Sequence, residues 1–116
     1  RKNLKIFNDL FKDNSNFVIP QTNFFSSSFS FPIIIKNKNI NYKLKVFNTL
    51  KKNKIDFRLI AGGCFVSQEY SKYFDYKVFK NIKNSNTLHK QGFMIGNAPV
   101  DLSKQITKLY DVLSKV

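Results

Sequence analysis

Among its 116 residues the chain has one cysteine, one histidine, one methionine and no tryptophan. A lone Cys64 excludes an internal disulfide and any cysteine-rich zinc module. One imidazole, His89, leaves little for metal chemistry. Only seven residues are acidic, and Asp56, Glu69 and Asp75 are not spaced as a metal cluster. No apolar run goes far beyond Ile33-Ile34-Ile35, well short of the ~20 residues that span a bilayer, so neither a membrane helix nor a membrane partner is expected. Residues 1–11 alternate charged and apolar side chains and do not read as a signal peptide, so the expected location is the cytoplasm. The first residue is Arg1, not Met, and the chain is expected to be a piece of something longer.

What is present suffices for one packed domain spanning 1–116. Hydrophobic residues make up 42% and charged residues 23% of the chain, ordinary globular values that argue against disorder. Thirteen phenylalanines promise an aromatic core. Twenty basic residues against seven acidic ones give a net charge of +13, a reason to consider nucleic acid. Yet only Arg1 and Arg58 are arginines, whereas surfaces that read phosphates and bases favour the bidentate guanidinium. The lysines are scattered among Asn, Ile and Phe, residues whose codons are rich in A and T. Base composition therefore explains the charge better than a nucleic-acid footprint does.

Apolar spacing sets out the elements. Leu4, Phe7, Leu10 and Phe11 predict a helix over residues 2–13, and Asn14-Ser15-Asn16 ends it. Val18-Ile19-Pro20 is a short extended piece, and residues 21–28 read as a Ser-rich loop. Residues 29–36 form the strongest strand, with Pro32 calling for an edge position or an irregular start. Asn41 is the expected N-cap of a helix over 42–52, with Leu44, Val46, Phe47 and Leu50 facing inward. Residues 55–60 alternate as a half-buried strand with Phe57 and Leu59 on one face, and Ala61-Gly62-Gly63 stops it. No period dominates residues 64–91, although 67–74 and 84–90 could each hold a short helix. Phe93-Met94-Ile95 is a short buried strand. A last helix places Leu102, Ile106, Leu109, Leu113 and Val116 on one face, with Asp101 as N-cap.

Three strands whose helices must all cover one face make an α+β two-layer sandwich, with a small, mainly antiparallel sheet. Within it, residues 62–91 are a long irregular stretch, of the sort most often used for binding.

The residues do not assemble a catalytic set. His89 sits in a Lys- and Asn-rich patch and reads as an exposed surface histidine. Cys64 has no second histidine or nearby acid to activate it and reads as a small buried residue. Ala61-Gly62-Gly63 lacks the Lys-Ser/Thr of a phosphate loop. Arg58 is different: one internal arginine among many lysines suggests that fork geometry matters there. A structural ion pair with Asp56 or Asp75 is the competing reading.

Residues 57–65 (Phe-Arg-Leu-Ile-Ala-Gly-Gly-Cys-Phe) are followed by Lys72-Tyr73-Phe74-Asp75-Tyr76, Asn84, and Gly92-Phe93-Met94-Ile95-Gly96-Asn97. In that order and spacing they resemble the C-terminal end of the pyridoxal-phosphate-dependent sugar aminotransferase family (DegT/StrS type). The nearest branch is that of the NDP-4-keto-6-deoxyhexose 3-dehydratases and their lipopolysaccharide-biosynthesis relatives. Arg1-Lys2-Asn3 resembles the start of the helix leaving the large domain. Ser27 with Phe29-Ser30-Phe31-Pro32-Ile33 resembles the opening of the first strand, and residues 53–58 the entry to the second. Two positions depart from the pattern. Gly63-Cys64 stands where the branch has Gly-Asn, and Gly96-Asn97 is followed by Ala98-Pro99 where close relatives have histidine.

The resemblance implies that this chain is the small domain of an enzyme that transaminates or dehydrates a nucleotide-linked sugar. A large domain of the same chain would carry pyridoxal phosphate and the reactive Lys or His, and the parent would be a homodimer. The fragment would bind no cofactor and be inactive alone. Residues 1–13 would lead out of the large domain and 62–91 would face the substrate. Arg58 would hold anionic groups, the backbone N–H groups of Gly62, Gly63 and Cys64 would line the cleft, and Asn84 and Asn97 are further substrate-binding candidates. The alternative is a stand-alone basic module binding RNA, with rings exposed on a sheet face as stacking platforms. The alternation of residues 55–60 offers no such row of rings, so nucleic acid is not the expected partner.

Overall fold

The computed structural model describes residues 1–21, 26–60 and 62–116. The Ser-rich loop expected over 21–28 therefore lies partly outside the described residues, as does Ala61. Helix α1 (Lys2–Phe11) buries Leu4, Phe7 and Phe11 along one stripe. The Asn14 side chain then accepts from the N–H groups of Asn16 and Phe17, at 2.9 and 3.1 Å, and turns the chain into strand β1 (Phe17–Val18). Strand β2 (Ser30–Ile35) follows, then helix α2 (Ile40–Lys52), strand β3 (Arg58–Leu59), and two 3-10 turns at Phe65–Ser67 and Glu69–Tyr73. Helix α3 (Lys83–Gln91) runs directly into strand β4 (Gly92–Gly96), and helix α4 (Ser103–Ser114) closes the fold.

The four strands form one antiparallel sheet in the order β1-β2-β4-β3. The short piece at Val18 is thus a true strand, so the sheet has four strands where three were expected. Pro32 sits opposite Met94 in β4, while β1 pairs only Ile34 and Ile35. The proline therefore occupies a stretch of β2 that has a neighbour on one side only, where a missing N–H is tolerated.

One face of the sheet carries Phe31, Ile33, Ile35 and Phe93, and these join Leu4, Phe7 and Phe11 of α1, Val46 and Leu50 of α2, and Ile106, Leu109 and Leu113 of α4 in a single cluster. The Phe7 ring stacks on Phe31 with centroids 4.7 Å apart and leans on Phe11 at the same distance. Burying side chains of this size supplies about 1.5–3 kcal/mol each. Helix α3 buries nothing and stays out of this core.

Asn3, at the start of α1, is buried at the edge of this core. Its Nδ2 donates to Asn97 Oδ1, the Ala98 carbonyl and the Val100 carbonyl, at 3.0, 3.2 and 2.7 Å, and its Oδ1 accepts from the Leu102 N–H at 3.2 Å. One amide therefore ties the start of α1 to the segment entering α4.

Three expectations need correction. The N-cap of α2 is Asn39, not Asn41. Its side chain accepts from the Asn41 N–H at 2.8 Å, and the helix begins at an exposed isoleucine, Ile40, that hides its start. Leu44 is exposed, because it lies two residues, about 200°, from the buried Val46. The strand expected over 55–60 forms a ladder only at Arg58 and Leu59, and Leu59 is exposed. As the edge strand, β3 has one neighbour; before it Ile55 and Phe57 still turn inward against the core, Phe57 stacked on Phe47 of α2 at 4.5 Å. For α4, Asp101 acts as expected through a bond to the Ser103 N–H at 2.9 Å, although the residue at the helix boundary is Leu102.

Candidate functional site at the edge of the sheet

Phe57 decides where Arg58 points. With its ring held by Phe47 and set edge-on to Phe93 at 6.2 Å, the alternation of an extended chain sends Asp56 and Arg58 to the other face. That face carries Pro32, Ile34 and Met94, with Met94 directly across the ladder from Arg58. Among the described residues it carries no row of rings.

Arg58, Asp56 and Phe57 line a cleft of about 570 Å³ with Phe29, Ser30, Met94 and Gly96. Both charged side chains are exposed. Among the described residues neither makes an ion pair or a hydrogen bond, and Asp75 pairs with neither; Lys2 and Asp101 form the ion pair there. A guanidinium and a carboxylate are therefore both unspent, two residues apart, at the mouth of one cleft. Phe29 stands on its rim, 79% exposed. A fork of N–H donors, a carboxylate acceptor and an apolar ring face suit a ligand with an anionic group, hydroxyls and a flat apolar side.

The six residues predicted for the site do not converge. Arg58 lies in the cleft. Asn97 lies in a neighbouring cleft that shares Phe29 and is lined by residues 1–3 and 97–101. Its Nδ2 donates to the Ser28 carbonyl at 2.7 Å and its Oδ1 accepts from Asn3. Gly62 and Gly63 have positive φ, 76° and 51°. Gly63 is packed so closely on α3 that a Cβ there would come within 2.2 Å of His89 Nδ1. His89 is thus half-buried against the glycine turn, not the exposed surface group read from the sequence. Cys64 is buried, as the residues predicted, and Asn84 is exposed on α3. The excursion is held to α3 by a bond from Ser67 Oγ to Asn86 Oδ1 at 2.7 Å.

Asp56, Phe29, Ser30 and Met94 were missed as site residues. The shared parity of 56 and 58 on one strand could have flagged Asp56. Nothing local signals the other three, which reach the cleft through strand pairing.

No protein-family model matches the chain. A GDP-4-keto-6-deoxy-D-mannose 3-dehydratase of Yersinia pseudotuberculosis is 33% identical over 116 residues, covering 99% of this chain and 30% of that protein. The structure of Escherichia coli GDP-4-keto-6-deoxy-D-mannose-3-dehydratase with bound hydrated PLP superposes with a TM-score of 0.87 at 35% identity, over 97% of this chain and 29% of that one. The chain is homologous to the C-terminal part of these dehydratases. A mutant GDP-4-keto-6-deoxymannose-3-dehydratase with bound GDP-perosamine gives the same TM-score and identity, over 97% of this chain and 30% of the other. The chain spans about 30% of the length of the relatives it matches. Its α+β architecture is that of this part of the 3-dehydratases. No helix among the described residues is long and apolar enough to cross a membrane, and none of their His, Cys, Asp and Glu side chains cluster as a metal site.

Proposed function

We propose that this chain is the small domain of a pyridoxal-phosphate-dependent enzyme, a 3-dehydratase or aminotransferase, acting on a nucleotide-linked keto-deoxysugar in lipopolysaccharide or O-antigen sugar synthesis. The parent would work in the cytoplasm as a homodimer. The observation that carries this reading is the unspent Arg58 beside Asp56 and Phe29 in an edge cleft, within a fold homologous to dehydratases solved with PLP and with a GDP-sugar.

The cofactor would supply the electron sink for the sugar chemistry, and it would be held elsewhere in the parent. The described residues here do not fit it. All their lysines but Lys43 are exposed, and the Lys43 ammonium donates to the Lys90 carbonyl. What this domain would contribute is binding and orientation. Arg58 would grip an anionic group of the substrate by charge-assisted bonds of about 1.5–3 kcal/mol each. Asp56 would accept from a sugar hydroxyl, and Phe29 would cover the apolar face of the ring. Asn97, whose cleft shares Phe29, would extend the substrate side, and the backbone N–H groups of Gly62, Gly63 and Cys64, with Asn84, would add to it only where the assembled parent brings substrate to them, since they stand apart from the Arg58 cleft.

The test is Arg58→Ala in the parent enzyme carrying the cofactor. We expect kcat/KM for the nucleotide sugar to fall about tenfold or more, on the order of 1.4 kcal/mol. Arg58→Lys, which keeps the charge but not the fork, should fall between. Unchanged kinetics in Arg58→Ala would assign Arg58 to the surface and remove this reading of the cleft.

A further inference from the structure

Leu59 leaves β3 on the face opposite to Arg58, and there it floors a separate groove of about 920 Å³. Ile35 and Ile40 complete an apolar floor, on which Leu59 is 57% and Ile40 62% exposed. One wall is α3, which turns Lys83, Asn86, Thr87 and Lys90 toward the opening. These are positions i, i+3, i+4 and i+7, a single face of the helix. The other wall is the 37–39 turn and the first turn of α2, bringing Lys38 and Lys43.

Two features set this groove apart from scattered surface lysine. A helix lying beside an apolar floor ordinarily turns its apolar stripe to it, but α3 presents a wholly polar face and leaves the space open. Four lysines face that space and no carboxylate lines it. Three of its neutral polar side chains are already committed. Asn86 accepts from Ser67, Thr87 donates to the Lys83 carbonyl, and Asn81 accepts from the Lys83 N–H. Lys43 donates to the Lys90 carbonyl across the groove. The ammonium groups of Lys38, Lys83 and Lys90 have no partner among the described residues. Unpaired cations around a concave, low-dielectric floor concentrate positive potential that an anion relieves.

We propose that this groove binds a small phosphate-bearing molecule with a flat apolar part, at a site distinct from the Arg58 cleft. The volume suits a ligand of nucleotide size. The lysines would hold the phosphates, while Leu59 and Ile40 would take the ring.

Calorimetric titration of the chain with ADP and with pyrophosphate, at about 50 mM salt, tests this. ADP should bind about tenfold tighter than pyrophosphate because of the floor. Lys38→Glu with Lys83→Glu should weaken both by about tenfold or more. Lys5→Glu with Lys104→Glu, which changes net charge equally outside the groove, should shift affinity by less than about threefold. Circular dichroism checks that both double variants are folded.

Absence of binding by either probe overturns the proposal. So does an equal loss in the two double variants, which would mean net charge alone. Loss of ADP binding in Arg58→Ala would place the probe in the other cleft and overturn it equally. Tighter binding of a single-stranded RNA than of ADP, with the same lysine dependence, would replace the small ligand with a nucleic acid.

Discussion

Phe7, Phe11 and Phe31 under the helices are each 1% exposed, whereas Tyr73, Phe74 and Phe79 in the excursion after β3 are 77%, 60% and 82% exposed. The side chains are alike, so the difference lies in spacing and partners. The core rings recur at helical or strand period and can all be turned to one face. Those of the excursion follow no period. Some of them gather around Phe65, whose ring meets Tyr70, Phe74 and Tyr76 at 5.7, 5.7 and 5.2 Å in a cluster at the surface, while Tyr73 and Phe79 lie against Lys72 and Lys80. An aromatic residue is a core residue here only where a regular element aims it.

The strongest challenge to that contrast is a pair of truncations followed by denaturant unfolding. Phe31→Ala should cost about 3–5 kcal/mol and Phe79→Ala less than about 0.5 kcal/mol. Similar losses would break the comparison. Next in size is Asn3→Ala, which strips the core's edge of the amide joining α1 to residues 97–102. It should cost about 1–3 kcal/mol, because carbonyls lose a buried donor.

The glycine turn that opens the excursion sharpens the other side. Gly62→Ala and Gly63→Ala both force a side chain into left-handed backbone, about 1–2 kcal/mol. Only Gly63→Ala drives a Cβ into His89, so its midpoint should fall further. Equal losses would mean that His89 simply moves aside.

Tyr42 tests the core from within. Its hydroxyl is buried without a partner among the described residues, and burial pushes its pKa up from 10.0. Tyr42→Phe should raise stability by up to about 1 kcal/mol. With the folded-state pKa above the unfolded one, Tyr42 causes no loss below pH 10. Stability falls as pH rises beyond that, a decline the variant should flatten.

The smallest effect belongs to Asp101. The bond from Lys2 first, and those from the Ser103 hydroxyl and N–H next, hold its carboxyl well below the usual carboxylate range. Its contribution is present above pH 3.8 and fades as pH falls toward the lowered folded-state value. The stability gap between the natural chain and Asp101→Asn should close on acid titration, and a gap that ignores pH would remove the ion pair as its cause.

Helices α1 and α4 were legible because their apolar periods are local: Leu4, Phe7 and Phe11 in α1, and Ile106, Leu109 and Leu113 in α4. Helix caps were less so. Asn39 and Asn41 are the same residue type two positions apart, and only the hydrogen bond chooses. Arg58 stood out by type and Cys64 by lack of partners. His89 looked solvated because its contact, Gly63, lies far away in sequence.

By itself, the sequence determined which segments could be helix or strand, since that depends on side-chain period and turn chemistry within a few residues. It also carried the kinship, through the order and spacing of residues 57–97. Tertiary structure alone decided which residues meet. Pairing β2 and β3 to either side of β4 brings Ser30, Arg58 and Met94 to one cleft, and folding α3 back beside α2 sets four lysines around Leu59. Such meetings rest on contacts between residues tens of positions apart, and no local period encodes them.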